Sequence, residues 1–430
     1  MKKFLALVLT LAMTLSLAAC GDKAEAPKED EGGEAGPVSL DIIISQYGNK
    51  TAEWWKQFES DFEAANADID LNIEIVSWND IYSVVNTRIG SNSQPDILNI
   101  SGFADYVADD LLMPAEEYVS EKTKNAFVPA FWESNAIDGT VWALPILASC
   151  RALFVNQDIL DQAGVEVPKT WDDVMTACAA SKEKCPGITP WALDISTDEG
   201  QAGFSYYAWN FGGGFVDEKG DWALNTPENV EAVNYIAELY NSGYCNANPS
   251  TDTRYPLQDS FNAGSLAMMI GPFNMTTADT KVNYTIADLP TNNDKPVALG
   301  VCDQLMVFKD EKAENQDART AAITKFFDAF YEVDTYANYM VYEGFLPATT
   351  DASELLATSA DKYTDCNGAP GRNDFFKDFC ALLPSCNFYP MQKAEWMDVR
   401  NGVIDVEQQV SVGSTTAQEA LDALQEQVSK

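Results

Sequence analysis

The sequence predicts an α/β protein, and three observations carry that expectation. Strand-like runs alternate with helical patterns from Leu40 onward: LDIIIS, a helix over 51–65, the alternating LNIEIV, a helix over 81–89 and a strand over 96–100. That alternation is what an α/β domain requires. A long stretch, Trp142 to Val174, reads as an extended crossing strand feeding a helix, a turn and a second helix. The chain is also apolar enough, 46% over 430 residues, to build a real core.

Taken in order, residues 1–19 are a signal segment. Lys2 and Lys3 form a positive start, Phe4 to Leu17 an apolar run too short to span a bilayer comfortably, and Leu17-Ala18-Ala19-Cys20 a small-residue cleavage site. The quartet resembles a bacterial lipobox, which would make Cys20 the diacylated first residue of the mature protein. The alternative is an ordinary secretory signal that ends in Cys. Residues 20–37 then read as a flexible tether, because Gly21 to Pro37 is rich in Glu, Asp, Gly and Pro and nearly empty of large apolar side chains.

In the helix over 51–65, Trp54, Trp55, Phe58 and Phe62 recur at helical spacing and read as core-facing or lobe-covering, with ligand contact by either Trp as the alternative. Ligands of open α/β sheets collect outside the carboxyl ends of strands. Gln46, Tyr47, Asn99, Ser101 and Gly102 therefore stand near a mouth.

In the crossing stretch, Pro145 to Asn156 has no helical period, and Leu147, Leu153, Phe154 and Val155 suit a buried strand. Asn156 is placed to cap a short helix with Asp158 in its first turn and Gly164 ending it; Thr170 and Asp173 have capping-box spacing. Beyond it, Tyr206, Tyr207, Trp209 and Phe211 precede Gly212-Gly213-Gly214, a turn rather than a phosphate loop, since no Lys-Ser/Thr follows. A strand over 266–270 stops at Gly271-Pro272, so Phe273 emerges just past its end, and Gly300 to Phe308 reads as a returning strand. Trp396 and Arg400 are four residues apart, which on a helix puts them on one face.

Composition narrows the chemistry. A formal charge of −39 argues against nucleic acid and anionic lipid as partners and disfavours anionic substrates unless a local basic pocket overrides the field. The chain has no histidine, which removes Ser-His and Cys-His nucleophiles and His-ligated metals; no metal site or cofactor is expected. Besides Cys20 there are eight cysteines without a CxxC pair, so disulfides are expected before metal in an oxidising compartment. Cys178 with Cys185, and Cys380 with Cys386, are close enough in sequence to bridge locally.

The segment from Trp142, with its strand ending in Asn156 and the following AGVEVPKTWDD, resembles the extracellular solute-binding proteins of ABC importers, the large family that includes maltose-binding protein. The resemblance continues in order through SQPDILNI, ADDLLMPAEEY, FGGGFVDEKG with LNTPENVEAVNYIAELYNSG, FNAGSLAMMIGPF, GFLPATT, a W-x-x-x-R helix and VGSTTAQEALDALQEQV, covering roughly residues 40–428. It implies a two-lobe periplasmic-binding-protein fold with hinge crossings and a central ligand cleft. The first lobe would take residues 38–148 and 300–345, the second 149–299 and 346–430.

The resemblance also implies ligand residues. Ser149 aligns with a position that contacts sugar in the maltose-binding branch, where an acidic residue is common, so the Ser puts maltose itself in doubt. Arg151 faces the same side of the strand, with an ion pair to the acidic body as the alternative. Tyr207 and Asp303 join the set; Phe273 offers a ring to ligand or packs in the core. Trp396 would stack on a sugar with Arg400 beside it, or else pack on the helix with Arg400 paired to Asp398 or Glu395. Cys150 and Cys302 lie on segments the family pairs side by side, so a bridge there is also expected.

The expected function is capture of a carbohydrate by a monomer anchored through Cys20 to the outer face of the cytoplasmic membrane, and delivery to ABC permease subunits, without catalysis. The alternatives are a non-sugar solute such as a polyamine or metal, a secreted glycosidase with two carboxylates across a cleft, and a structural or adhesive lipoprotein.

Overall fold

Alternating apolar residues at the start of the described chain build a parallel sheet. The computed structural model describes residues 37–429 apart from 79, 198, 277–279, 294, 311, 314 and 394. The signal segment, Cys20 and nearly all of the tether lie outside the described residues. Strand β1 (Val38–Ser45) pairs in parallel with β2 (Ile69–Val76) and with β3 (Ile97–Ile100). Parallel neighbours need a crossover, and helix Thr51–Ala65 supplies the first one. Its Trp55, Phe58 and Phe62 are buried, while Trp54 is half-buried, stacks on Phe58 and donates to Asn338 Oδ1 at 2.7 Å. Both indoles thus serve packing against Phe326, Phe330 and Tyr339, each buried ring of this cluster stabilising the fold by about 1.5–3 kcal/mol.

A hairpin of β4 (Ala136–Ile137) and β5 (Thr140–Val141) turns at Asp138-Gly139 with φ of 51° and 79°, the left-handed pair that Asp-Gly favours. It leads into β6 (Ala143–Asn156), a 14-residue strand buried at every position except Ser149. At about 3.3 Å per residue it runs roughly 46 Å, long enough to belong to two half-sheets. The remaining strands are β7 (Thr189–Trp191), β8 (Leu266–Pro272), β9 (Tyr284–Ala287), β10 (Ala298–Val307) and β11 (Cys386–Asn387). The sheet order is β2-β1-β3-β10-β6-β8-β7, with β9 on β6 and β11 on β10.

The handover inside β6 is sharp. Residues 143–150 pair antiparallel with β10, the last partners being Gly300 and Cys150; residues 151–155 pair with β8, starting at Arg151 and Pro272. A third segment arrives at the same place, because Leu346 and Ala148 exchange backbone hydrogen bonds of 2.8 and 2.9 Å. Three chain segments therefore meet within four residues of β6, between the parallel half-sheet and the β7-β8-β9 half.

The local signals after β6 are realised. Asn156 accepts from the Ile159 amide at 3.3 Å, Gly164 ends helix Gln157–Ala163 at φ 72°, and Thr170 and Asp173 form a reciprocal capping box on helix Trp171–Lys184. Trp171, Trp191, Tyr207, Val233, Ile236, Val399, Val403 and Leu421 share the second core.

The expected disulfides are not formed: all eight described cysteines are free thiols. Cys178 lies on helix Trp171–Lys184 and Cys185 is its C-terminal cap; seven residues of helical rise, about 10 Å, exceed the reach of a bridge. Cys380 ends helix Asn373–Cys380 and Cys386 opens β11, with a tight turn over 383–385 between them and no bond. Cys302 is opposite Ala148, not Cys150, and its sulfur is 3.9 Å from the Ser134 hydroxyl. The Cys150 thiol is directed to the Phe379 carbonyl, 3.8 Å away, and burial followed by the neighbouring Cys386 pushes it up.

Candidate functional site

Two polar and aromatic faces flank the handover. The first gathers at the carboxyl ends of β1 and β3, where strand geometry delivers side chains beyond the sheet. The Tyr47 hydroxyl donates to Asp303 Oδ2 at 2.9 Å, and Ser101 Oγ donates to the other carboxylate oxygen. Asn99 Nδ2 donates to the Tyr47 hydroxyl and to the Gln304 carbonyl, both at 3.1 Å, and Gly102 N–H donates to Gln304 Oε1 at 3.0 Å. The register of β10 against β6 slips between Asp303 and Gln304, and such a bulge re-aims the side chains beside it.

Aromatic rings cluster around Tyr47, the ring that reaches this carboxylate. Tyr47 meets Trp78 at 5.8 Å and Phe345 at 5.4 Å, both edge-on. Tyr82 is 48% exposed and donates to the Ser101 carbonyl at 3.3 Å. Burial pushes the Asp303 carboxyl above the usual range, partly offset by the Ser101 and Tyr47 hydroxyls, and burial followed by the nearby Asp303 charge pushes the Tyr47 phenol up. Gln46 is exposed, with its amide on the Gly48 carbonyl at 3.2 Å. Asn99 is fully buried, so it positions Tyr47 and Gln304 instead of reaching a ligand itself. Gln304 was not expected; its place beside the bulge, not its residue type, makes it part of the network.

The second face starts at Arg151, the first β6 residue paired with β8. Its Nε donates to the Tyr206 hydroxyl at 3.1 Å and its Nη2 to Glu199 at 3.3 and 3.4 Å. Arg254 Nε reaches the same Glu199 at 2.8 Å. Burial pushes Glu199 up, but Arg151 and then Arg254 outweigh it and hold the carboxyl below its usual value; burial opposes the Arg151 charge, and Glu199 overcomes that. Two guanidiniums thus share one carboxylate. Beside them lies a cavity of about 30 Å³ lined by Trp191, Glu199, Tyr206, Tyr207 and Arg254, room for about one water.

Tyr389 extends this face. The half-buried ring lies 5.0 Å from Trp396, nearly parallel at 28°, and 6.5 Å from Trp209; after burial, Tyr206 and Arg151 are the first groups to influence its phenol. Nothing in the sequence around Tyr389 marked it, because it sits in an irregular segment where no period applies.

Several expected ligand residues are placed elsewhere. Tyr207 is 2% exposed, accepts from Trp191 Nε1 at 2.9 Å and packs on Trp171, so its neighbour Tyr206 takes the place beside Arg151. Phe273 is in the core among Phe375, Phe376 and Phe379 at 4.6, 5.1 and 5.4 Å. Trp396 is 7% exposed between Phe215 and Tyr389 and does not present an open indole face. Arg400 donates to the Thr197 carbonyl at 2.9 Å and to Asn401 Oδ1 at 3.0 Å, tying its helix to the loop before Glu199. Ser149 is half-buried opposite Val301, at the handover itself. Among the described residues, no group of three or more Cys, Asp or Glu is arranged to hold a metal ion, and no helix is long and apolar enough to cross a membrane.

This architecture, two half-sheets joined through β6 with polar faces at the junction, is the fold of a two-lobe binding protein. The profile of the bacterial extracellular solute-binding proteins matches residues 47–336, and the chain belongs to that family. A binding protein of Brucella abortus (strain 2308) is 25% identical over 390 residues, covering 88% of this chain and 89% of the relative. The arabinooligosaccharide-binding protein of Bacillus subtilis (strain 168) is 23% identical over 390 residues, 85% of each chain. The crystal structure of the cyclic α-maltosyl-1,6-maltose binding protein from Arthrobacter globiformis superimposes with a TM-score of 0.75 at 21% identity, covering 91% of this chain and 98% of that one.

Proposed function

We propose that this protein captures a sugar or oligosaccharide outside the cell by closing two lobes around it, and delivers it to the membrane subunits of an ABC importer. The observation that carries the reading is the pair of polar and aromatic faces on either side of the β6 handover. Sugars present apolar C–H faces and rings of hydroxyls, which aromatic rings and bidentate polar groups recognise together. Asp303 is opposite Leu147, four residues before Arg151, so the two faces are staggered by about 13 Å along β6, a span of oligosaccharide size. The binding of oligosaccharides by the Bacillus relative and by the Arthrobacter protein supports the same class.

In this reading the lobes are residues 38–148 with 300–345, and 149–299 with 346–430, and they rotate about the junction of Ala148, Arg151, Gly300 and Leu346. Phe375 and Phe376 pack on Phe273, and Val399 and Val403 enter the second core, which supports placing the later part of 346–430 with the second lobe; Ala348 and Thr349 stay paired with Val128 and Phe127 of the first. The closed form is what the permease reads, and a lipid on Cys20 keeps the body near it by raising the effective concentration.

A thermal-shift screen of the mature protein over mono- and oligosaccharides tests this. A ligand at 100 times its dissociation constant should stabilise by about 2.7 kcal/mol. No shift with any saccharide, against a clear shift with polyamines or divalent metals, would replace the sugar by one of those solutes.

A further inference from the structure

Resting on that capture reading, we propose that the first face selects a sugar carrying a protonated amine, with the Asp303 carboxylate as its counter-ion. Asp303 is half-buried and accepts one hydroxyl on each oxygen, from Tyr47 and Ser101. Hydroxyls orient a carboxylate but leave its charge uncompensated. Among the described residues, the salt bridges found bring no Lys or Arg to it. The basic groups of the second face are already committed, since Arg151 and Arg254 both bind Glu199.

Closing the lobes would remove more water from this charge, and an unpaired buried charge is costly. A neutral sugar hydroxyl adds a further donor and no compensating charge. An ammonium on the sugar brings three donors and the missing positive charge. Tyr47 binds the carboxylate and packs on Trp78 and Phe345, while Tyr82 donates to the Ser101 carbonyl beside it, so the neighbourhood is rich in aromatic rings, which attract positive charge. The −39 field of the chain also gathers cations and repels anions at a distance.

The test is titration calorimetry of the mature protein at neutral pH against matched triplets: glucose, glucosamine and N-acetylglucosamine; the galactose series; and the β-1,4-linked disaccharides of the glucose series. At least one amine-bearing member should bind at least tenfold tighter than both of its neutral counterparts, which corresponds to about 1.4 kcal/mol. Asp303→Asn, which keeps the shape and loses the charge, should abolish that preference while unfolding stays cooperative. Ser101→Ala, which keeps the charge, should retain the preference even where it weakens binding. Neutral members that bind as tightly as the amines, or an amine preference that survives in Asp303→Asn, would overturn the charge selection and leave sugar capture standing. Silence of all members, neutral and charged, would count against both readings.

Discussion

Replacing Trp396 by Ala separates the two roles that a Trp beside an Arg on one helix face can have. The indole is 7% exposed, lies 5.3 Å from Phe215 at 78° and 5.0 Å from Tyr389 at 28°. Truncating a buried large aromatic costs about 3–5 kcal/mol, part of it the cavity left behind. Trp396 opens helix Trp396–Ser411 and follows an irregular segment, which has more freedom to settle into the gap than a helix centre. The lower end, about 3 kcal/mol, is therefore expected. Urea unfolding followed by far-UV circular dichroism would show it as a lower midpoint at unchanged slope. Affinity for the cognate sugar should fall less than tenfold, and chiefly because Tyr389 loses the surface it rests on. A stability loss below about 1 kcal/mol, together with a tenfold or greater loss of affinity, would refute the burial argument and return the indole to direct ligand contact.

Arg151→Ala should lower stability by about 2 kcal/mol, the scale of a hydrogen bond to a charged group, because Glu199 keeps Arg254 at 2.8 Å; thermal denaturation checks it, and unchanged melting with lost ligand binding would assign Arg151 to the ligand alone. Burial raises the Glu343 carboxyl from 4.5 to about 7, against an opposing hydrogen bond from Thr51. Between those values the native state holds a proton that the unfolded chain releases, so stability should fall as pH rises from about 4.5 to 7 and level off above. Glu343→Gln should flatten that slope in pH-dependent urea titrations, and a parallel profile for the two proteins would refute it. Cys20→Ala should move the protein from the membrane to the aqueous fraction while its melting curve is unchanged, since the proposed anchor is the acyl chain; retention on membranes after a salt wash would remove the anchor from the reading.

Local chemistry was legible because its causes are local. Asn156, Gly164, Thr170 and Asp173 satisfy orphan groups at helix ends within a few residues of themselves, and all do so as their spacing suggests. The first face was also largely legible: strand ends must deliver Tyr47, Ser101 and Gly102 to one edge, and Tyr47 and Ser101 meet Asp303 there. What the tertiary structure alone decided is which side chains are spent on one another. Arg151 finds Glu199 48 residues away, and Arg254 joins it from 55 residues away. Buried Arg151 and half-buried Arg254 need a carboxylate partner to offset their lost hydration, a pairing no local period encodes. Tyr206 and Tyr207 are adjacent on one helix and both buried, and only the tertiary packing sends Tyr207 onto Trp171 and Trp191 and the Tyr206 hydroxyl to Arg151. The helical spacing of Trp396 and Arg400 correctly put them on one face, but Phe215 and Tyr389 arrive from distant segments to cover the indole, because large apolar surface is buried by whatever the fold brings against it.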